Sequence, residues 1–125
     1  MVLFDTSVWI RFLANRAPYA VELDRLLTRE EVAGHEFVYG ELLVGDRGGS
    51  RQLLAGYEQM HRAPAVPHHD LVGFVRDRNL SGRGLGWSDL HLLASAIVGR
   101  FRLWTADSRL AAAAEELGVT HKPPA

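Results

Sequence analysis

Apolar positions along the chain fall into short continuous runs and stretches at helical spacing. Val2-Leu3-Phe4 is a run that ends at Asp5, and Val8, Trp9, Phe12 and Leu13 follow at helical spacing, which predicts strand, tight turn and helix. Pro18 opens a second helix carrying Val21, Leu23, Leu26 and Leu27, after which Glu31 to Gly34 has room only for a short strand. Phe37 to Val44 is a compact helix closed by Gly45, with Gly48-Gly49 as a loop. Ser50 to His61 predicts a further helix, Ala63 to Val66 a strand between Pro64 and Pro67, and Leu71, Phe74 and Val75 one more helix. Three glycines between Gly82 and Gly86 make Ser81 to Gly86 a mobile loop. Trp87 to Val98 reads as helix, Phe101 to Thr105 as strand, Ser108 to Leu117 as a helix stopped by Gly118, and Val119-Thr120-His121 as a last edge strand.

Short strands alternating with helices argue for an α/β fold with a mainly parallel sheet and right-handed crossovers covering both faces. A chain of 125 residues at 13.9 kDa makes one domain, 1–125, and buries about two thirds of the surface that its unfolded form exposes. Apolar residues at 47% and charged residues at 23% suit a self-sufficient core. No apolar run approaches the roughly 18 residues of a membrane helix, and Met1 to Asp5 lacks the basic start of a signal peptide, so a cytoplasmic protein is expected. Without cysteine there are no disulfides, thiolate metal sites, iron-sulfur clusters or cysteine nucleophiles; any metal must be held by oxygen or imidazole. A net charge of -1 gives no global field for nucleic acid, so a polyanionic substrate needs a local patch. All but one of the 14 basic residues are arginine, which suits bidentate phosphate contacts but is equally what GC-rich coding produces.

In parallel sheets the carboxyl ends of neighbouring strands converge on one crevice, where Asp5 and Asp107 both fall. Each reads equally well as a helix N-cap. Asp89 shares its helical face with Leu92, Leu93, Ala96 and Ile97, and Glu41 shares its face with Phe37, Val38, Val44 and Gly45; acids on apolar stripes ask for a reason. A long Glu snorkelling from the stripe edge is the alternative for Glu41. If the four meet, two carboxylates about 5 Å apart repel by roughly 3 kcal/mol at an effective dielectric near 20, so protons or a hard divalent cation must neutralise them. With oxygen donors the natural ions are Mg²⁺ or Mn²⁺, an arrangement suited to phosphodiester hydrolysis.

The segments Asp5-Thr6-Ser7-Val8-Trp9-Ile10, Gly40-Glu41-Leu42-Leu43-Val44-Gly45, Trp87 to Ala96 around Asp89, and Leu103 to Leu110 around Asp107 resemble the ordered motifs of PIN-domain ribonucleases, specifically VapC-type toxins of bacterial toxin-antitoxin pairs. The resemblance covers nearly the whole chain. It implies a PIN-like three-layer fold with 4–5 short strands, and an acidic metal-binding quartet of Asp5, Glu41, Asp89 and Asp107 supported by Ser7 and Thr105. It further implies Mg²⁺ or Mn²⁺, single-stranded or looped RNA as substrate, homodimers, no membrane association, and a cognate antitoxin that blocks the site. One departure is that the Glu41 helix follows His35-Glu36-Phe37 where the family usually has a Ser/Thr or Pro turn, so Glu36 and Asp46 are rival acids; the Glu-Leu-Leu-x-Gly pattern favours Glu41.

Other residues have blander readings. His68-His69-Asp70 is solvated or capping, and His91, two positions after Asp89, faces away from it. Ser7 lacks a nucleophile elbow, and the glycines around Arg83 lack the Lys-Ser/Thr ending of a P-loop. Arg11, Arg83 and Arg109 are candidates to reach a phosphate beside the crevice. Trp9, Phe12 and Trp104 fit core positions, and Trp87 invites a stacking role only if exposed. The leading expectation is an RNA endonuclease of the toxin type. A catalytically silent binding module acting through its partner is the alternative, and an aspartyl-phosphate phosphatase a third reading that lacks a second Asp where Ser7 stands.

Overall fold

The computed structural model describes residues 1–124, and its four strands are all parallel. In chain order the elements are β1 (Val2–Phe4), α1 (Thr6–Leu13), α2 (Tyr19–Thr28), β2 (Val32–Gly34), α3 (Glu36–Gly45), α4 (Arg51–Glu58), β3 (His61–Arg62), α5 (His68–Asp77), α6 (Trp87–Gly99), β4 (Arg102–Trp104) and α7 (Ser108–Glu116). The sheet order is β3-β2-β1-β4, so β1 is central and the chain after β1 and the chain after β4 emerge side by side. Val2, Leu3 and Phe4 pair with Arg102, Leu103 and Trp104 on one side, and Val2 and Leu3 with Val32 and Ala33 on the other. Strands covered on both faces by helices are apolar throughout rather than alternating, which is why β1 and β2 contain no polar side chain.

The core gathers around Trp9, which is fully buried and meets Phe4, Phe12 and Tyr57 edge-to-face at 6.1, 5.9 and 5.3 Å. Gly34 ends β2 beneath the Tyr57 ring, where a Cβ would sit 3.0 Å from it; the absence of a side chain is what lets that ring close over the strand end.

Three expectations shift. The strand expected at Ala63 to Val66 is instead His61–Arg62, because Pro64 has no N–H to donate and only Ala63 adds a further bond, to the Gly34 carbonyl at 2.8 Å. Val119 to His121 does run beside β4, but as a single bridge of Thr120 with Leu103, bracketed by bonds of Leu103 to Val119 and His121 at 2.6 and 2.9 Å. The loop expected to be mobile is fastened to α7 by an ion pair of Arg83 with Glu116 and by the Arg109 side chain lying against Gly84. Gly84 has φ +75°, a backbone conformation that favours glycine, and a Cβ there would push the Arg109 side chain aside.

Candidate active site at the carboxyl ends of the strands

Asp5 leaves β1 at its carboxyl end and caps α1, its Oδ1 accepting the Val8 N–H at 3.2 Å. The capping reading is therefore correct, and it accounts for only part of the environment. The Ser7 hydroxyl donates to Oδ1 at 2.6 Å and the Thr105 hydroxyl donates to Oδ2 at 2.5 Å. Each hydroxyl is in turn an acceptor: Ser7 Oγ takes the Ala106 N–H and Thr105 Oγ1 takes the Asp107 N–H, both at 3.0 Å. Backbone donors of the β4–α7 turn thus aim both hydroxyl hydrogens at Asp5, joining chain ends about a hundred positions apart. Burial of Asp5, only 6% exposed, raises its pKa above the usual carboxylate range despite the bonds from Ser7, Thr105 and Val8; the charge of nearby Asp89 raises it further.

The other three acids stand around this floor. Asp89, in the first turn of α6, is half-buried and its Oδ2 accepts the Gly86 N–H at 3.0 Å. Glu41 is exposed, and its Oε1 accepts the Thr6 hydroxyl at 2.8 Å, one residue from Asp5. Asp107 is exposed and caps α7 through one oxygen, Oδ1, which accepts from Arg109 and Leu110 at 2.8 and 3.1 Å. Of the three, Asp89 acts on Asp5 through its charge, Glu41 bonds the next residue, Thr6, and Asp107 reaches Thr105 through its backbone N–H. Among the described residues no three Asp, Glu or His side chains stand close enough together to hold a metal ion.

Asp89 heads a buried stripe of Leu92, Leu93 and Ala96, as its sequence neighbours suggest, but Glu41 does not lie on one. The core face of α3 is Val38 and Leu42, whereas Val44, beside Glu41, is 88% exposed. Glu41 sits at the edge of that helix, as the snorkelling alternative has it, next to an open groove of ≈ 540 Å³ lined by Phe37, Gly40, Val44 and Gly45. The rivals stand elsewhere: Glu36 is exposed in the first turn of α3, and Asp46 folds back on its own loop, accepting from Gly48 and Ser50 at 3.1 and 3.0 Å. A more enclosed cavity of ≈ 290 Å³, lined by Met1, Leu27, Val32 and Met60 among others, lies at the amino ends of the strands and brings no acidic cluster together.

His35 is the residue that sequence reasoning missed. Fully buried, it caps α3 with Nδ1, which accepts the Phe37 N–H at 3.0 Å; the proton is then on Nε2, facing Ser95 Oγ at 2.9 Å. Tyr57 brackets its backbone, accepting from the His35 N–H at 2.8 Å and donating to its carbonyl at 3.3 Å. Burial, followed by the neighbouring His91 and Arg62, lowers its pKa to about 4, so the ring is neutral. The His35 to Ser95 bond ties the start of the Glu41 helix to the middle of the Asp89 helix. The available signal was its position, one residue after a strand and one before a helix, where caps occur.

The remaining candidates are placed as follows. Arg11 donates to the Ser7 carbonyl at 3.1 Å and lies over the Tyr19 ring at 5.7 Å. Arg109 is exposed at the rim beside Asp107, and Arg83 is engaged with Glu116. His91 is buried with its Nδ1 unpartnered in the protein, and His68 and His69 are exposed.

The family profile described as PIN domain matches residues 2–116. The chain belongs to the PIN-domain family, in its VapC branch. Ribonuclease VapC32 of Mycobacterium tuberculosis is 42% identical over 120 residues, covering 95% of this chain and 94% of that protein, in each of two strains. The crystal structure of PAE2754 from Pyrobaculum aerophilum superposes with a TM-score of 0.57 over 89% of this chain and 82% of that one; at 18% identity it attests the fold alone. The PIN match over residues 2–116 spans all four acid-bearing segments.

Proposed function

We propose that the chain is a metal-dependent RNA endonuclease, the toxin of a toxin-antitoxin pair, with Asp5, Glu41, Asp89 and Asp107 as its acidic site and Ser7 and Thr105 as their support. The observation that supports this is the buried Asp5, whose carboxyl is raised by burial and by nearby Asp89, in a chain that matches the PIN domain over residues 2–116. An oxygen-only donor set of this kind fits a hard cation, Mg²⁺ or Mn²⁺, held by Asp5 and Asp89 with Glu41 and Asp107 alongside. The ion, when bound, supplies an activated water and charge stabilisation for phosphodiester hydrolysis.

The chain's own residues do the rest. Ser7 and Thr105 keep both Asp5 oxygens facing fixed donors, so the carboxylate cannot turn away from the crevice. Asp107 uses one oxygen for its cap and keeps Oδ2 free of that cap. We assign Arg109, exposed beside Asp107, to phosphates of single-stranded or looped RNA, with Arg11, which bonds the Ser7 carbonyl, as a second candidate, while Arg83 is held by Glu116. Substrate binding and catalysis then occur in one crevice, and an antitoxin closes it with a basic side chain that replaces the cation. Apolar side chains that α1 and α3 leave exposed, Ile10, Leu13, Leu43 and Val44, are surface for that antitoxin or for the second subunit of a homodimer. No helix among the described residues is long and apolar enough to cross a membrane, and we place the protein in the cytoplasm with its RNA.

Sequencing of RNA ends after induction tests the reading: discrete new ends that vanish in Asp5→Asn support it. Mn²⁺ titration calorimetry separates it from a silent binding module, since saturable binding abolished by Asp89→Ala is required of the enzyme alone.

A further inference from the structure

Two of the three tryptophans are where a core would put them, Trp9 fully buried and Trp104 only 9% exposed, but Trp87 is 44% exposed. It is the first residue of α6, two positions before Asp89, and the Gly86 N–H to Asp89 bond fixes that turn. The ring is braced from two helices. His91, one turn on, meets it at 5.5 Å and 88°, and His68 at the start of α5 lies 5.6 Å away at 51°. His91 in turn stacks on Phe37 at 4.1 Å, one helical turn before Glu41 on α3. An aromatic row therefore runs from His68 through Trp87 and His91 to Phe37, exposed at its His68 and Trp87 end, and Trp87 opens the helical turn that carries Asp89.

A single exposed apolar side chain is ordinary on a protein surface. This one differs in being braced by aromatic neighbours in the same helical turn as Asp89. Rigid aromatic rings next to a backbone-binding groove are how proteins hold unpaired bases, because every base has a π-face. We infer that Trp87 is a stacking platform for an unpaired base of the RNA next to the phosphate that the acidic crevice receives. The assignment rests on the ribonuclease reading, and it makes Trp87 a substrate-binding residue rather than part of the acid machinery.

The test uses Asp5→Asn protein with Mg²⁺, so that RNA stays intact, and a randomised-sequence RNA octamer carrying a fluorophore. Binding is followed by anisotropy of the label and, separately, by intrinsic tryptophan emission, to which Trp87 is the one exposed contributor. The platform requires emission to be quenched along the anisotropy isotherm. An octamer of abasic sites with the same charge should bind without quenching. Trp87→Phe should keep affinity within about threefold, while Trp87→Ala should weaken it by about tenfold with melting temperature and Mn²⁺ binding unchanged. In protein with Asp5 intact, Trp87→Ala should raise KM far more than it lowers kcat. Octamer binding with no quenching and an unaltered Trp87→Ala affinity would overturn the platform and leave the ribonuclease reading standing. No octamer binding by any variant would overturn both. Loss of a coexpressed antitoxin from Trp87→Ala, with RNA affinity intact, would overturn it in favour of a protein-docking face.

Discussion

Asp5 and Glu41 carry the same group in one crevice under opposite regimes. Asp5 is 6% exposed, with three donors on its two oxygens and a burial-raised pKa; Glu41 is exposed, with one hydroxyl bond. The floor is fixed by the fold, since its donors come from α1 and from the β4–α7 turn, which packing alone brings together. The rim is fixed only locally. A charged floor costs stability and holds position, while rim acids keep the freedom to adjust to ligand. Active sites commonly divide in this way, with desolvated groups at the centre and solvated ones around them.

The sharpest way to break the contrast is Asp5→Asn. RNA cleavage should fall by more than about 100-fold, a loss at the upper end of that for supporting residues of metal sites. The melting temperature should rise, because one desolvated, repelled charge disappears while the Asn oxygen still caps Val8. Differential scanning calorimetry beside a cleavage assay reads both. A fall in stability would show that the carboxylate is satisfied as a charge.

Thr105→Val removes the donor to Asp5 Oδ2 and the acceptor of the Asp107 N–H together. Cleavage should drop about 10- to 100-fold with a matching loss of Mn²⁺ affinity, as for residues that orient metal ligands. Thr6→Val, which frees Glu41, should cost less than tenfold in the same titration, because the rim acid can reorient. Equal losses would abolish the distinction between floor and rim.

Acid titration separates the two interior groups by sign. His35 is held neutral at about 4 against an ordinary 6.5, so the stability of its neutral form is complete above pH 6.5 and is lost as pH falls towards 4. That gap corresponds to about 3 kcal/mol. Asp5, with a raised value, works the other way: its contribution is complete below 3.8 and is lost as pH rises through the raised value. Urea midpoints of the native chain should fall between pH 6.5 and 4. The fall should be much shallower in His35→Asn, which can still cap α3 but does not titrate.

The smallest effect is expected at Asp107, where two roles separate. Asn is as good an N-cap as Asp, so Asp107→Asn should leave the melting temperature unchanged while lowering cleavage; Asp107→Ala should lower cleavage similarly and cost about 1 kcal/mol besides.

The sequence by itself determined the order of elements, because apolar runs of three or four residues between helical periodicities admit little but a parallel α/β sheet. It also singled out four acids as candidates, through their places at strand ends and in the ordered motifs around Asp5, Glu41, Asp89 and Asp107. It misjudged β3, where a proline moved the hydrogen-bonding residues two places back. It also misjudged the setting of Glu41, because apolar neighbours on a helix mark the core only when another element covers them, and Val44 is uncovered. Only the tertiary structure decided which carboxylate is desolvated, that Ser7 and Thr105 address Asp5 across the sheet, that His35 pins α3 to α6, and that Trp87 stays outside. Burial and long-range hydrogen bonds depend on what the rest of the chain places within a few ångströms, and no local pattern encodes that.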